Sequence, residues 1–341
     1  MVTPTGRAIR KGRPPKFMYA GLRSMGVSTG MLIPARMEKN SAFVSRIAAF
    51  PLPSNICLLY NDLKDNPEAA IGTFSDTRIS MTLAILQARV SSSRLPGKVL
   101  KPILGRPMLE LQLERVMRTA RIDRLVVATS VEASDDPIVE SCRKTGVAVF
   151  RGNLTDVLDR YYHAAAPYRP DTIVRLTGDC PLADPAVIDY AIEYFLTHDL
   201  DYVGNCVERT YPIGLDVEVF RFVCLEKSWR EARLPSEREH VTPFIKNHPE
   251  WFSLGHIKSP VDLSHHRWTV DEPQDFAFVT AVYEALYPHN PRFTTDDILA
   301  YLSVHPEIMM LNYHIVHGAG YEKSLREDMK YRHGTKPQLS S

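Results

Sequence analysis

Residues 82–98 read TLAILQARVSSSRLPGK, an apolar strand pattern that runs directly into a polar, basic loop. The apolar run from Leu83 predicts a β-strand, and the loop after it combines three cations, three hydroxyls and a Pro-Gly turn. Open α/β sheets bind ligands at the carboxyl ends of their strands, which is where this loop lies. The stretch therefore predicts an α/β fold with a cradle for a polyanion, most simply a nucleoside triphosphate.

The residue types in this loop suit a chain of phosphates, which requires backbone N–H donors and closely spaced cations. Pro96 fixes one φ angle and Gly97 tolerates a positive one, so the backbone can approach phosphate oxygens. Lys98 adds a compact charge, and Arg89 and Arg94 can add bidentate contacts. A basic surface loop without any ligand would have the same composition, so this alternative stays open.

The spacing of the loop argues against a Walker-type ATPase. That motif requires G-x-x-x-x-G-K-[ST], but Ser92 occupies the position of the first glycine and Val99 follows the lysine. A Walker-type ATPase is therefore not expected.

From Met81 onward, short β-branched apolar runs alternate with amphipathic stretches, as is typical of βαβ units around a mainly parallel sheet. Helix starts are indicated by Pro107 before an apolar face, by Asp135 and Asp136 before a proline, and by Asp184 before another. We predict strands at 82–87, 124–129, 147–150, 171–176 and 216–220, helices between them, and later helices at 273–287 and 294–304.

Composition and charge exclude several classes of protein. The chain has 341 residues and a net charge of +1, and no apolar run approaches the roughly 18 residues of a membrane span. Its five cysteines lack C-x-x-C spacing, which favours a reducing cytoplasm over a disulfide framework or a structural zinc site. Residues 81–341 carry 30 Lys and Arg against 35 Asp and Glu. We therefore expect a cytoplasmic protein that binds neither nucleic acid nor membrane.

Residues 1–80 differ from the rest of the chain. They carry 11 Lys and Arg against 5 Asp and Glu and show no sustained helical or alternating pattern. One hypothesis is that Met81 is the true initiator, so that this extension is not part of the native protein; a disordered basic arm and an organellar transit peptide are the alternatives. We predict an N-terminal extension over 1–80, one domain over 81–331 and a disordered tail over 332–341.

Five motifs, in order, resemble known sequences. ARVSSSRLPGKVL at 88–100 resembles the opening motif of the 3-deoxy-manno-octulosonate and acylneuraminate cytidylyltransferases. The later motifs are similar to the family of the spore-coat polysaccharide biosynthesis protein F, and the resemblance extends from about Met81 to about Tyr331. These later motifs are LTGDCPL at 176–182, YPIGLDVEVF at 211–220, LPSEREHVTPFI at 234–245 and RWTVDEPQDF at 267–276.

This resemblance implies a fold and a reaction. The fold is α/β, a mainly parallel twisted sheet flanked by helices, in a Rossmann-like nucleotide-diphospho-sugar transferase (GT-A-like) three-layer sandwich. The reaction is transfer of CMP from CTP to an acidic sugar, with Lys98, Arg94 and Asp179 as catalytic residues, and a homodimer is expected by analogy. The nucleotide-binding residues implied are Ala88, Arg89, Ser92, Ser93, Arg94, Gly97, Lys98, Ala128 and Thr129.

Two aspartates are candidate ligands for Mg²⁺. Asp179 follows a predicted strand, and Gly178 permits a sharp turn there, so its carboxylate can point into the ligand crevice. Magnesium prefers hard oxygen ligands and is commonly held by one or two carboxylates together with substrate phosphates. Asp271 also follows a short apolar strand, and the resemblance places a metal-binding aspartate there. Either residue could instead be a helix cap or a turn former.

Three residues are candidates for binding the acceptor. Asp216 and Glu218 lie on the same face of a predicted strand, where they could contact the acceptor. The alternative is that this face of the strand is exposed to solvent and binds nothing. Arg238 and His240 lie in the SEREH motif, where an arginine fork would match a sugar carboxylate. The alternative there is a capping box formed by Ser236 to Glu239.

Two rival functions remain open at this stage. A glycosyltransferase on a related sheet would require a D-x-D motif for its metal, whereas GLDVEVF offers Asp-x-Glu. A non-catalytic nucleotide-binding or assembly subunit would have no physical need to keep Lys98, Asp179 and Asp271. Cytidylyl transfer is therefore the favoured prediction.

Overall fold

The computed structural model describes residues 80–315 and 318–334. The predicted N-terminal extension falls, except for its last residue, outside the described residues, and so do the tail residues from 335 onward. The described part of the chain lies in one unit, which begins at Arg78.

The strands of the described residues form a central sheet and a small hairpin. They are β1 Thr82–Gln87, β2 Pro102–Ile103, β3 Arg106–Pro107, β4 Arg124–Ser130, β5 Ala148–Gly152, β6 Thr172–Thr177, β7 Tyr202–Gly204, β8 Glu218–Arg221 and β9 Leu254–His256. The central sheet has seven strands in the order β5-β4-β1-β6-β8-β7-β9, and β2 pairs with β3 in the separate hairpin. Within the central sheet, only β8 is antiparallel to both of its neighbours.

Helices connect these strands and complete the C-terminal part. They are α1 Met108–Val116, α2 Asp136–Thr145, α3 Val157–Ala165, α4 Pro185–Thr197, α5 Phe222–Glu231, α6 Pro235–His240, α7 Pro243–Lys246, α8 Pro273–Leu286, α9 Thr295–Val304, α10 Pro306–Met309 and α11 Ala319–Arg332. None of the described helices is long and apolar enough to cross a membrane.

The core is divided by the sheet into two layers. Side chains alternate along β1, so Ala84 and Leu86 belong to one hydrophobic cluster and Leu83 and Ile85 to another. The first cluster includes residues of α1, α2, α4, α8 and α9, and the second includes residues of α3, α5 and α7. The predicted α/β fold, a mainly parallel sheet between helical layers, is confirmed.

The strand predictions were correct to within two residues, but the short elements were missed. β7 and β9 have three residues each, too few to show a period of two. The strand predicted at 216–220 begins only at Glu218, which pairs with Arg175 of β6. The sequence analysis also gave no helix over 319–332, where α11 lies.

Helix caps follow the predicted signals only in part, because Asp135 precedes α2 without capping it through its side chain. Asp184 caps α4 by accepting a hydrogen bond from the backbone N–H of Ala186. The alternative of a capping box from Ser236 to Glu239 is wrong, because α6 already begins at Pro235. Its cap is the Glu237 carboxylate, which accepts hydrogen bonds from the N–H groups of Arg233 and Leu234.

Candidate active site

The loop after β1 is closed by its own backbone. The N–H of Gly97 donates to the carbonyl of Val90 at 2.9 Å, and the N–H of Leu95 donates to the Ser92 hydroxyl. Gly97 has a φ of +69°, the left-handed conformation that the Pro-Gly turn predicts. Lys98 starts a single 3₁₀ turn directly afterwards. The backbone of the loop is therefore fixed, and the hydroxyl and arginine side chains extend from it.

A buried aspartate holds this loop against the next strand. Asp135 accepts hydrogen bonds from the Val90 N–H at 2.8 Å, from the Thr129 hydroxyl at 2.9 Å and from both polar groups of Ser130. Burial opposes its ionisation, but these hydrogen bonds keep the pKa of Asp135 below its usual value. The Ala128 carbonyl accepts from the Ala88 N–H at 3.2 Å.

Ala128 and Thr129, predicted to contact the nucleotide, are thus fully buried behind the loop and do not line the cleft described below. In this structure they support the loop from behind.

Lys98 lies between the two predicted metal ligands. Its Nζ is 3.2 Å from the Asp179 carboxylate and 2.9 Å from that of Asp271, and it donates to the Val270 carbonyl at 2.7 Å. Burial of Lys98 opposes its charge, but the two carboxylates raise the pKa of the ammonium group above its usual value. The pKa of Asp179 is lowered despite burial, chiefly by the charge of Lys98. Three residues far apart in the sequence thus form one ionic cluster.

Hydrogen bonds hold the segments that carry the two aspartates next to each other. The Val270 N–H and the Thr269 hydroxyl both donate to the Asp179 carbonyl, at 2.8 and 3.1 Å. Gly214, with a φ of +106°, lies beside the same segment, where an added Cβ would be 2.5 Å from the Thr269 nitrogen. A side chain at position 214 would therefore displace the segment that carries Asp271.

Salt bridges fix the Asp271 side chain from two directions. Arg94 approaches its carboxylate at 2.8 Å, and Arg267 approaches the other oxygen at 3.3 Å. Arg267 is itself held by Asp275, which also accepts the N–H groups of Asp271 and Glu272 at the start of α8. The carboxylate that caps this helix is thus also part of the support of the site.

A cleft of about 340 Å³ opens beside this ionic cluster, at the carboxyl ends of β1 and β6. It brings together most of the side chains predicted from the sequence. Those that line it are Ala88, Arg89, Ser92, Ser93, Arg94, Lys98, Asp179, His240 and Asp271.

Two predicted acceptor residues lie elsewhere. Arg238 pairs with Asp156 and donates to the Trp229 carbonyl, and it lines a different cavity. Asp216 pairs with Arg209 and does not line the cleft. Of the three acceptor candidates, only His240 faces the cleft together with the loop.

The sequence analysis missed several residues of the cleft wall. Arg160 of α3 and Arg175 of β6 both line it, and Arg175 is the one charged residue of its strand. A charged residue in the middle of a predicted strand was the available signal, because such a group requires a specific partner when buried. The other missed residues are Gln87, Val99, Val157, Thr177, Gly178, Glu239, Gly320 and Lys323.

His240 connects α6 to the C-terminal helix. Its Nε2 is 3.0 Å from the Ser324 hydroxyl, and the same hydroxyl donates to Glu239 at 2.7 Å. Burial lowers the pKa of His240, and the nearby charge of Arg175 lowers it further against the opposing effect of Glu239. Neutral His240 is therefore favoured at this place in the wall.

Comparison with known proteins agrees with this geometry. The family model described as "Cytidylyltransferase" matches residues 83–284. An uncharacterized protein of Methanocaldococcus jannaschii is 39% identical over 249 residues, which cover 72% of this chain and 98% of that protein. The spore coat polysaccharide biosynthesis protein SpsF of Bacillus subtilis is 32% identical over 238 residues, covering 66% of this chain and 95% of that protein.

A solved structure extends the match to three dimensions. The cytidylyltransferase from Leptospira borgpetersenii serovar Hardjo-bovis is 34% identical, with a TM-score of 0.66, and the match covers 70% of this chain and all of that one. The family match spans the loop, Asp179, His240 and Asp271. On this evidence the chain belongs to the cytidylyltransferase family and is a nucleotidyltransferase.

Proposed function

We propose that this enzyme transfers CMP from CTP to a hydroxyl group of an acidic sugar or a related acceptor, with Mg²⁺ bound and pyrophosphate released, in the biosynthesis of a surface polysaccharide. The observation that carries the proposal is the cluster of Lys98, Asp179 and Asp271 beside a basic loop at the carboxyl ends of parallel strands. The name of the Bacillus subtilis relative supports the polysaccharide context.

The donor set of the site fits a magnesium ion. Asp179 and Asp271 offer hard oxygen ligands that converge on one cation, the Lys98 ammonium group. No group of three or more His, Cys, Asp or Glu side chains suited to a metal occurs among the described residues, so phosphate oxygens and water would supply the other ligands. When bound, Mg²⁺ would neutralise charge on the phosphates and polarise the phosphorus under attack.

The residues of the chain would act mainly by positioning and by charge. The acceptor oxygen forms a bond to the α-phosphorus of CTP as the bond from this phosphorus to the α–β bridging oxygen breaks, and the hydroxyl proton is released to water. Arg94 and Lys98 would hold the β- and γ-phosphates, and Arg89 would stabilise the leaving pyrophosphate. Lys98 can do this because phosphate oxygens offer its ammonium group new partners in place of the aspartates.

A glycosyltransferase is less consistent with the structure. Its metal would require the Asp-x-Glu pair of the GLDVEVF motif, but Asp216 pairs with Arg209. Glu218 is buried and accepts from Arg175 and Lys246. Neither carboxylate of this pair lines the cleft.

The proposal is tested by thermal shift of the full chain with Mg²⁺ and CTP, UTP, ATP, GTP or UDP-glucose. A ligand at about 100 times its Kd should add about 2.7 kcal/mol to the unfolding free energy. We expect stabilisation by CTP, its loss in Lys98→Ala, and its retention in Lys101→Ala, a matched lysine that does not line the cleft.

The second test is turnover, which is measured as pyrophosphate release in the presence of candidate acidic sugars. Lys98→Ala should lower kcat/KM by about 10²- to 10³-fold while circular dichroism shows an intact fold. In the thermal-shift test, a rise in Tm with UDP-glucose and none with CTP would favour a glycosyltransferase instead. A folded Lys98→Ala variant with full activity would refute the role of Lys98.

A further inference from the structure

The cleft wall contains cations besides those of the 88–98 loop, and the mechanism proposed above does not use them. One is Arg175, in the middle of β6, with a side chain 14% exposed. Its Nη1 pairs with Glu218 at 2.5 Å and its Nη2 is 3.5 Å from the Gln87 side-chain oxygen. Its Nε is buried and has no hydrogen-bond partner among the residues that the structure describes. The guanidinium group is therefore incompletely satisfied by the protein.

The surroundings of Arg175 leave a surplus of positive charge. Glu218 is shared between Arg175 and Lys246, whose Nζ lies at 3.0 Å. The remaining acceptor capacity of the same carboxylate is used by the hydroxyls of Tyr202 and Thr242, at 2.6 and 2.7 Å. Two cations thus share one buried carboxylate, so this part of the wall favours an anion.

The second cation comes from the C-terminal helix. Lys323 of α11 lines the same cleft, and its Nζ is 3.9 Å from Glu327, a loose contact that leaves its side chain 74% exposed. His240 lines the same cleft and contacts Ser324, the neighbour of Lys323. Glu239 is the opposing carboxylate in the wall, and it accepts the Ser324 hydroxyl.

The position of α11 in the sequence gives Lys323 a particular meaning. The match to the cytidylyltransferase family model ends at residue 284, whereas α11 covers Ala319–Arg332. An element beyond the region of that model therefore contributes to the cleft wall. Peripheral elements placed around a common catalytic fold are suited to selecting a substrate rather than performing the common chemistry.

We propose that Arg175 and Lys323 form an anion subsite that binds a carboxylate or phosphate group of the acceptor. The inference rests on the proposed function, because it assigns this part of the cleft to the acceptor while CTP occupies the 88–98 loop. Arg175 supplies a fixed, partly desolvated guanidinium, and Lys323 supplies a mobile charge at the rim. The acceptor is thus recognised by its negative group before its hydroxyl reacts.

The test uses the full chain saturated with Mg²⁺ and a CTP analogue that has a methylene bridge between the α- and β-phosphates. The analogue fills the basic loop without turnover, so added anions cannot bind there. Calorimetric titration at constant ionic strength compares glucuronate with glucose and glycerol 3-phosphate with glycerol. We expect either glucuronate or glycerol 3-phosphate to bind at least tenfold more tightly than its neutral partner. The pair that shows this difference tells whether the subsite recognises a carboxylate or a phosphate.

Variants then locate the subsite. Lys323→Ala should weaken binding of the preferred anion by about tenfold and change the affinity for the CTP analogue less than twofold. Arg326 lies on the same helix but does not line the cleft. Arg326→Ala should therefore change neither the anion affinity nor the affinity for the CTP analogue. Arg175→Gln should weaken anion binding more strongly, and Lys323→Ala keeps the test valid if Arg175→Gln does not fold.

Equal binding of the anions and their neutral partners, or anion binding unaffected by Lys323→Ala, would overturn the inference and leave the proposed function standing. Absence of binding by the CTP analogue itself would count against the proposed function instead.

Discussion

At the scale of single residues, the segment that carries Asp271 contains a histidine in an unfavourable place for charge. His266 is only 8% exposed, and its ring lies 5.7 Å from that of Trp268. Burial, with a smaller effect of His265, lowers the pKa of His266 to about 4. The folded protein therefore holds this imidazole in its neutral form.

The stability of the protein should fall in mild acid because of His266. Between pH 6.5 and 4 the unfolded chain binds a proton at this residue and the folded chain does not, so stability is present above pH 6.5 and is lost as the pH falls. The loss is on the order of 3 kcal/mol. Urea unfolding of the wild type and of His266→Gln from pH 7 to 4 measures it, and the variant should lose less stability over this interval.

His265→Gln is the matched control, since His265 is the exposed neighbour. It should retain most of the pH dependence, because burial is the larger cause of the shift. Identical pH profiles for the wild type and His266→Gln would contradict the prediction.

The residues of the site show what a sequence can and cannot reveal. The Pro-Gly turn, the cations of the loop and the two aspartates were predictable, because each follows a strand or has a chemical type suited to phosphate or metal. Arg175 was not, because its role depends on Glu218, which pairs with it only through the antiparallel register of β8. Arg238 was assigned to the acceptor from its type alone, and Asp156 is its partner instead.

At the scale of elements, α11 is attached to the rest of the fold largely by polar contacts. The Asp328 carboxylate accepts hydrogen bonds from the backbone N–H and the hydroxyl of Ser236, at 2.8 and 2.6 Å. Asp328 is 6% exposed and Ser236 only 2%. This helix was not predictable from periodicity, which depends on apolar residues, because its buried positions are serine and aspartate.

Asp328→Ala should loosen α11. The substitution leaves two buried donors of Ser236 without a partner, which costs about 1–3 kcal/mol. Hydrogen exchange should become faster across Ala319–Arg332 and remain unchanged in β1 and β6. Glu322→Ala removes an exposed carboxylate from the same helix and should change exchange little. Full protection of α11 in Asp328→Ala would show that other contacts hold the helix.

At the scale of the whole molecule, the chain divides between Thr77 and Arg78, and every described residue lies in the second unit. The alternation of strands and helices predicted the parallel sheet. It could not predict the reversal of β8, because strand direction is set by the connections and not by the strand's own composition.

A fragment of residues 78–341 should therefore fold by itself. We expect a single cooperative unfolding transition within about 2 °C of that of the full chain, since each kcal/mol shifts the Tm of a domain of this size by roughly 2–4 °C. Its response to CTP should match that of the full chain. Scanning calorimetry of both proteins measures this, and a broad transition or a loss of the CTP response would contradict it.

Because Lys98 lies between Asp179 and Asp271, its ammonium group serves as the counterion of both carboxylates. A divalent cation that approaches these carboxylates alone must displace an ammonium group that already satisfies them, so little free energy is gained. Under the proposed function, phosphates that arrived with the cation would offer the ammonium group new partners in place of the two carboxylates, and no charge would be left unpaired. The cluster would then bind metal and nucleotide together much more readily than it binds the metal alone.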